Sequence, residues 1–248
     1  MGKTTRILGR MAGLTAVAAI VGALSFAGWT WVDGMVVREV MVEGARYADE
    51  ETILALAAVD TSMRVLDVDP LLIADRAARH PWVQTGVVRR LPSGVVRIAV
   101  RERRPVALAL TPDGQPAAWL DAEGHTMPLS EGAAWDVPLV WGAALPENRT
   151  QPLREASLRE LLAMLPESDP LPDALVSSFE VERAGGITMY AAVPGGNDAI
   201  AVRLGSRGYA EKFRRLNAFW TQAVLPRPDK TFTTIDLRFD GQVVTKGS

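Results

Sequence analysis

Between Met11 and Val32 the chain carries no charged side chain, and a run of that length so near the start governs how everything after it must be read. At about 1.5 Å per residue, roughly 22 helical residues span about 33 Å, slightly more than the ~30 Å hydrocarbon core of a bilayer. Lys3, Arg6 and Arg10 precede the run without an acidic residue among them, and Asp33 follows at once. The positive-inside bias therefore predicts residues 1–10 as a cytoplasmic tail, 11–32 as a single transmembrane helix, and everything beyond Asp33 outside the cytoplasmic membrane. Trp29 and Trp31 fall at the outer end, where indole rings favour the headgroup layer. A cleaved signal peptide is the competing reading, since Ser25 and Ala27 resemble the small residues of a cleavage site. However, a typical signal core is only about 7–15 residues, and here the apolar run continues through both tryptophans, so a retained anchor is expected. Gly9 with Gly13, and Ala19, Ala23 and Ala27, recur every four positions; this suits close approach of another membrane helix and also the ordinary abundance of small residues in such segments.

The remainder of about 215 residues is enough for one large or two small domains with real cores. Lys and Arg total 27 against 29 Asp and Glu, so no global field points to nucleic acid. There is no cysteine, which excludes disulfide-stapled scaffolds and thiol chemistry together.

Val36, Val37, Val40 and Val42 form a β-branched run ending at Gly44, a strand and turn. Asp49, Glu50 and Glu51 place acidic groups at the start of a helix through Ile53, Leu54, Leu56 and Ala57. A loop over Asp60 to Arg64 leads to Val65, Leu66 and Val68. Asp69 is placed as an N-cap with Pro70 at the first position of a second helix, apolar at Leu71, Leu72, Ala74 and Ala78 and stopped by Pro81. A hairpin follows, its strands carried by Val83 with Gly86 to Arg90 and by Val95 to Arg101, joined by a turn at Leu91-Pro92-Ser93-Gly94. In the return strand Val96, Ile98 and Val100 alternate with Val95, Arg97, Ala99 and Arg101, so one face should be apolar. Strand, helix, helix, strand, strand makes a compact α+β unit.

Val42-Glu43-Gly44, Pro81-Trp82-Val83, Val88-Arg89-Arg90-Leu91-Pro92 and the run Val100 to Ala107 resemble the POTRA domain of the FtsQ/DivIB family of bacterial cell-division proteins. The short tail and single membrane helix before it are also similar to that family. Trp82 and Val83 are expected in the core, with Pro92 and Gly94 shaping the turn. The boundaries expected are 35–107 for the POTRA domain and 108–248 for a β-rich domain. Ala117 to Leu120 followed by Asp121-Ala122-Glu123-Gly124 resembles the turn that opens the family's second domain.

Val137 to Val140 reads as a short strand that Pro138 assigns to an edge or bulge. Pro152 to Leu165 has Leu153, Leu158, Leu161, Leu162 and Leu165 on one side and is read as an amphipathic helix closed by Pro166. Pro166, Pro170 and Pro172 form a stiff connector. Val176 to Glu182, Ile187 to Val193 and Ile200 to Leu204, separated by turns at Gly185-Gly186 and Pro194 to Asn197, read as an antiparallel meander. Tyr209 to Leu225 is a second helix, apolar at Phe213, Leu216, Phe219, Trp220 and Val224, with Lys212, Arg214 and Arg215 elsewhere. The last strand signal runs Thr231 to Phe239, turns at Asp240-Gly241 and resumes at Gln242, and it is similar to the closing segment of the same family. The fold class expected is α+β: one membrane helix, a POTRA domain, and a C-terminal antiparallel β-sheet domain with flanking helices.

Catalytic chemistry finds little support. His80 and His125 are the only histidines and lack a second ligand at helical spacing, so no metal or other cofactor is expected. No Gly-x-Ser-x-Gly phrase occurs, and Gly205-Ser206-Arg207-Gly208 lacks the Lys-Ser/Thr ending of a phosphate loop. Asp121 with Glu123 reads as a solvent-facing turn rather than an acid–base pair. Arg76, Arg79, Arg89, Arg90, Arg97, Arg101, Arg103 and Arg104 outnumber nearby acids, which suits anionic headgroups or a solvated face with local salt bridges.

The resemblance implies a non-enzymatic scaffold in the inner membrane, with periplasmic domains and a place at midcell during division. Its partners would be FtsB-like and FtsL-like division proteins and, through them, the septal peptidoglycan synthase. The expected mode is strand addition at a sheet edge near the C-terminus, over Leu237, Arg238, Phe239, Asp240, Gly241, Gln242, Val243 and Val244, with Arg238 facing an acidic residue and Phe239 as apolar anchor. The bland reading of Ile235, Leu237 and Phe239 is that they are core. A POTRA-type chaperone or secretion component handling exported polypeptides is the alternative, although such proteins carry several POTRA units or lead into a β-barrel. A secreted hydrolase would need a cluster of polar catalytic groups that the sequence does not offer.

Overall fold

The charge-free run lies within helix α1 (Gly2–Asp33) of the computed structural model. Residues 2–130, 132, 134–166, 175–192, 199–227 and 232–247 are described, with side chains from 16 onward except at 32 and 175. Among residues with described side chains, which in α1 are Ala16–Trp31 and Asp33, no helix is long and apolar enough to cross a membrane. The chain divides into two units, Met1–Arg101 and Glu102–Ser248.

In the first unit α1 is followed by β1 (Glu39–Glu43), α2 (Glu50–Ala57), a 3₁₀ turn (Val65–Asp67), α3 (Pro70–Ala77), β2 (Val83–Arg90) and β3 (Val95–Glu102). This is the strand-helix-helix-strand-strand order expected from the sequence, with sheet order β1-β3-β2 and β1 parallel to β3. Local chemistry sets both helix starts. The Asp49 carboxylate accepts the Thr52 N–H at 2.8 Å, and that of Asp69 accepts the N–H groups of Leu71 and Leu72 ahead of Pro70. The alternation in β3 holds: Val96 and Ile98 are fully buried, and Val100 nearly so. Trp82 is 1 % exposed and stacks on Tyr47 with ring centroids 5.2 Å apart. The hairpin turn needs glycine, because Gly94 has φ +87° and an added Cβ would lie 2.9 Å from the Val36 carbonyl oxygen.

The second unit comprises β4 (Ala107–Leu110), β5 (Pro116–Leu120), β6 (Thr126–Met127), β7 (Leu139–Trp141), α4 (Ala156–Met164), β8 (Leu175–Val181), β9 (Ile187–Ala192), β10 (Ala199–Gly205), α5 (Tyr209–Phe219), β11 (Phe232–Asp236) and β12 (Val244–Gly247), with a π-helical turn (Trp220–Val224) extending α5. Among the described residues its strands form one nine-stranded sheet ordered β12-β11-β10-β9-β8-β7-β4-β5-β6. Leu158, Leu161 and Leu162 of α4 share one core with Phe213, Leu216 and Trp220 of the α5 region, packing on Ala109, Val140, Phe179, Met189, Val202 and Ile235. Both helices therefore cover the same face of the sheet.

Four expectations need correction. The sheet is mixed rather than antiparallel: β8, β9 and β10 form the expected meander, but β4–β7, β7–β8 and β10–β11 pair in parallel. The connections leading into β8 and β11 contain α4 and α5, and a helix crossover returns a strand parallel to its neighbour. Second, β7 is internal rather than an edge, because Pro138 stands just before it, where a missing N–H costs the ladder nothing, and its carbonyl accepts from Leu108 N–H at 3.0 Å. Third, α4 begins at Ala156 rather than Pro152. Leu153 N–H is taken by the Gly124 carbonyl at 2.8 Å, which holds the chain extended there while Leu153 still reaches the core. Fourth, β11 stops at Asp236 rather than continuing to Phe239, because the Asp236 carboxylate accepts the Arg238 N–H at 3.0 Å and bends the chain. The connector at Pro170 and Pro172 and the turn at Pro194 to Asn197 lie outside the described residues.

Candidate functional site

Among the described residues of the second unit, charged side chains gather at the turn after β5 and at the C-terminal edge of the sheet. Asp121, expected to face solvent beside Glu123, is 1 % exposed. Its carboxylate accepts Arg103 Nη1 at 2.6 Å and His125 N–H at 2.7 Å, while Gly124 N–H returns to the Asp121 carbonyl at 3.1 Å. Arg103 Nη1 also lies 3.0 Å from His125 Nδ1. A guanidinium offers only donors, so Nδ1 must present its lone pair and His125 is the neutral Nε2–H tautomer.

Asp121, Glu123 and His125 gather ligand atoms within 4.8 Å of one another. However, the guanidinium bonded to both Asp121 and His125 already supplies the positive charge between them, so the arrangement is a structural ion pair. Burial, reinforced by Arg103, holds the His125 imidazole below its ordinary value. A histidine with a lowered folded pKa is protonated first in the unfolded chain, so it subtracts stability as pH falls below about 6.5. Thermal unfolding at pH 7.5 and 5.5 should therefore show a pH-dependent loss that is smaller in His125→Gln; equal losses in both proteins would contradict this role.

The second place is the C-terminal edge of the sheet. Among the described residues β12 pairs only with β11, from Asp236↔Val244 to Phe232↔Gly247, and all four of its residues are exposed. Leading into it, the eight residues singled out from the sequence have different surroundings. Leu237 is fully buried in the core, and its N–H donates to the Arg203 carbonyl at 3.0 Å. Arg238 is half exposed and grips Asp236 through Nε at 3.0 Å and Nη2 at 2.6 Å. That guanidinium holds the Asp236 carboxyl below the usual carboxylate range. Phe239 is 53 % exposed. Asp240 and Gly241 form the turn, with Gly241 at φ +69°. Gln242 is exposed, Val243 packs partly against the core, and Val244 opens β12.

The sequence reading missed what fixes this turn. Arg215 of α5 donates from Nη1 to the Phe239 carbonyl at 3.0 Å and to the Gln242 carbonyl at 3.3 Å, bridging the two ends of the turn. Lys212, expected off the buried face, is 8 % exposed, its ammonium bonded to the carbonyls of Leu204 and Arg207 at 2.6 and 2.7 Å. Burial pushes that ammonium below the usual lysine value. A cation three or four positions from apolar helix residues carries no mark that it will turn inward toward carbonyls.

Comparison with known proteins places this geometry. Residues 35–103 match the POTRA domain, FtsQ-type, and residues 104–246 match the family described as FtsQ/DivIB, C-terminal related. The chain is 41 % identical over 244 residues to a protein of Rhodothermus marinus named Cell division protein FtsQ, covering 98 % of this chain and 89 % of that one. A protein of the same name from Salinibacter ruber is 41 % identical over 241 residues, covering 96 % and 92 %. One from Syntrophotalea carbinolica is 28 % identical over 228 residues, covering 88 % and 75 %.

Proposed function

The chain belongs to the FtsQ/DivIB family of bacterial cell-division proteins, and from that premise we propose that it is a bitopic divisome scaffold rather than an enzyme. The helix over residues 11–32 is its membrane anchor, with residues 1–10 in the cytoplasm and both domains, 35–107 and 108–248, in the periplasm at the septum. In support, the side chains from Ala16 to Trp31 are all exposed, and a helix apolar and exposed on every side suits lipid rather than water. The partners are FtsB-like and FtsL-like division proteins, which connect the scaffold to the septal peptidoglycan synthase.

The observation that carries this reading is the exposed, one-sided pairing of β12 at the end of the sheet. An edge strand presents alternate N–H and C=O groups away from its neighbour, and an extended partner segment can complete the ladder. Backbone hydrogen bonds supply affinity. Phe239, exposed beside the edge, is the apolar anchor, and Arg238, half exposed despite its bond to Asp236, has donors to share with an acidic partner residue. Leu237 contributes by holding the segment to the core.

Arg215 positions the turn that delivers the chain into β12. Arg215→Ala should weaken capture of the FtsB-like and FtsL-like pair about tenfold, the size expected when about 1–2 kcal/mol of pre-ordering is lost. Arg215→Lys, which keeps one donor, should recover part of the affinity. Equal affinity in all three proteins would remove Arg215 from this role. The proposal as a whole is tested by a fluorescent fusion in dividing cells. A midcell band supports it, and a uniform envelope signal favours the chaperone or secretion reading.

A further inference from the structure

Resting on the reading of α1 as a membrane span, we propose that Met63, Leu66, Leu71 and Leu72 form a second membrane contact, an apolar ridge of the POTRA domain that enters the headgroup and upper acyl layer where α1 emerges. Leu71 is 82 % exposed, and Leu72, Leu66 and Met63 lie between 37 and 44 %. Leu71 and Leu72 follow Pro70 in the first turn of α3, and Leu66 sits in the 3₁₀ turn just before it. Four exposed apolar side chains within the ten residues from 63 to 72 are what an interfacial surface requires and what water disfavours.

The ridge is tied to the end of α1 by backbone and charge. Val37 N–H donates to the Met63 carbonyl at 2.9 Å, Val65 N–H donates to the Met35 carbonyl at 2.8 Å, and Arg64 pairs with Asp33, the last residue of α1, at 3.4 Å. If Asp33 lies at the bilayer surface, the turn bonded to Met35 and Val37 lies beside it. Trp29 and Trp31, 70 and 65 % exposed, occupy the same level of α1.

The acids nearby are engaged. Asp67 is bonded by Arg64, Asp60 accepts the Ser62 N–H at 2.7 Å, and Asp69 caps α3. The arginines read from the sequence as a headgroup-binding cluster are partly engaged within the fold. Arg79 pairs with Asp75, Arg97 with Glu43, and Arg90 donates to the Leu66 carbonyl at 2.9 Å, bonding the backbone of the 3₁₀ turn. The contact is therefore apolar, and its ligand is the interface of a zwitterionic bilayer rather than an anionic headgroup.

The absence of cysteine makes the test direct. Leu66→Cys in the full chain, labelled with an environment-sensitive fluorophore and reconstituted in phosphatidylcholine vesicles, should show blue-shifted emission quenched by lipids brominated near the headgroup. Val87→Cys, at an exposed position of β2, should show neither effect. Leu71→Glu added to the Leu66→Cys protein should abolish the quenching, and high salt should not, since no screened charge is involved. A water-like, unquenched label at 66 would overturn the ridge provided Ala23→Cys resists a water-soluble thiol reagent; a reactive Ala23→Cys would overturn the anchor and the ridge together. A label at 66 that shifts only on adding the FtsB-like and FtsL-like pair would make the ridge a protein contact and overturn the lipid assignment.

Discussion

Phe239→Glu should reduce capture of the FtsB-like and FtsL-like pair by about 30-fold or more, the effect of removing an aromatic anchor of about 2 kcal/mol, while leaving thermal unfolding unchanged. The side chain is 53 % exposed in the free protein, so its loss removes little burial from the fold. Its backbone carbonyl, which Arg215 holds, is unaffected by the substitution. A carboxylate at this position would also face the acidic residue that Arg238 is proposed to receive, adding like-charge repulsion to lost apolar contact. Phe239→Leu, which keeps an apolar group, should retain more of the affinity. Wild-type capture by a folded Phe239→Glu protein would remove this residue from the interface.

The second large effect concerns stability and has a different location. Arg103→Ala would leave the Asp121 carboxylate buried without its cation. Breaking a buried pair in this way costs about 3–5 kcal/mol, which should lower the melting temperature of the β-rich unit by roughly 10 °C. Side chains with 11 and 2 % exposure in the free protein give solvent little opportunity to screen the loss. Adding Asp121→Asn should recover part of the stability, because a neutral amide needs no cation and its oxygen can still accept the His125 N–H. Below its unfolding transition the Arg103→Ala protein should capture the partner pair normally, since Arg103 takes no part in the edge formed by β11 and β12. A melting temperature within a degree or two of wild type would show that the pair contributes little.

How far these arrangements were legible in the sequence depends on whether the governing interaction was local. The Asp69 cap, the acidic first turn of the helix near Asp49, Trp82 in the core and the alternation of Val96, Ile98 and Val100 each follow from a few adjacent residues, and each was readable. The parallel pairing of β10 with β11 was not, because it depends on how α5 returns the chain rather than on any pattern within either strand. The early end of β11 had a local signal: an Asp two residues before Arg238 can accept its N–H and halt a strand. Asp121 followed by Gly124 reads as a turn, and its bond from His125 N–H is local, but the cation that neutralises the buried carboxylate, Arg103, lies 18 residues away, outside that pattern. The proposed site was legible as a segment near the C-terminus. What the structure adds is its division: Leu237 anchors, Arg238 and Phe239 face outward, and Val244–Gly247 supplies the open ladder.

The most direct test of strand addition is amide hydrogen exchange in β12 with and without the FtsB-like and FtsL-like pair. Exchange at Val244 to Gly247 should be fast in the free protein for the amides facing away from β11 and should slow markedly when the pair binds, as new main-chain hydrogen bonds close over them. Saturated binding that leaves exchange across β12 unchanged would contradict the account.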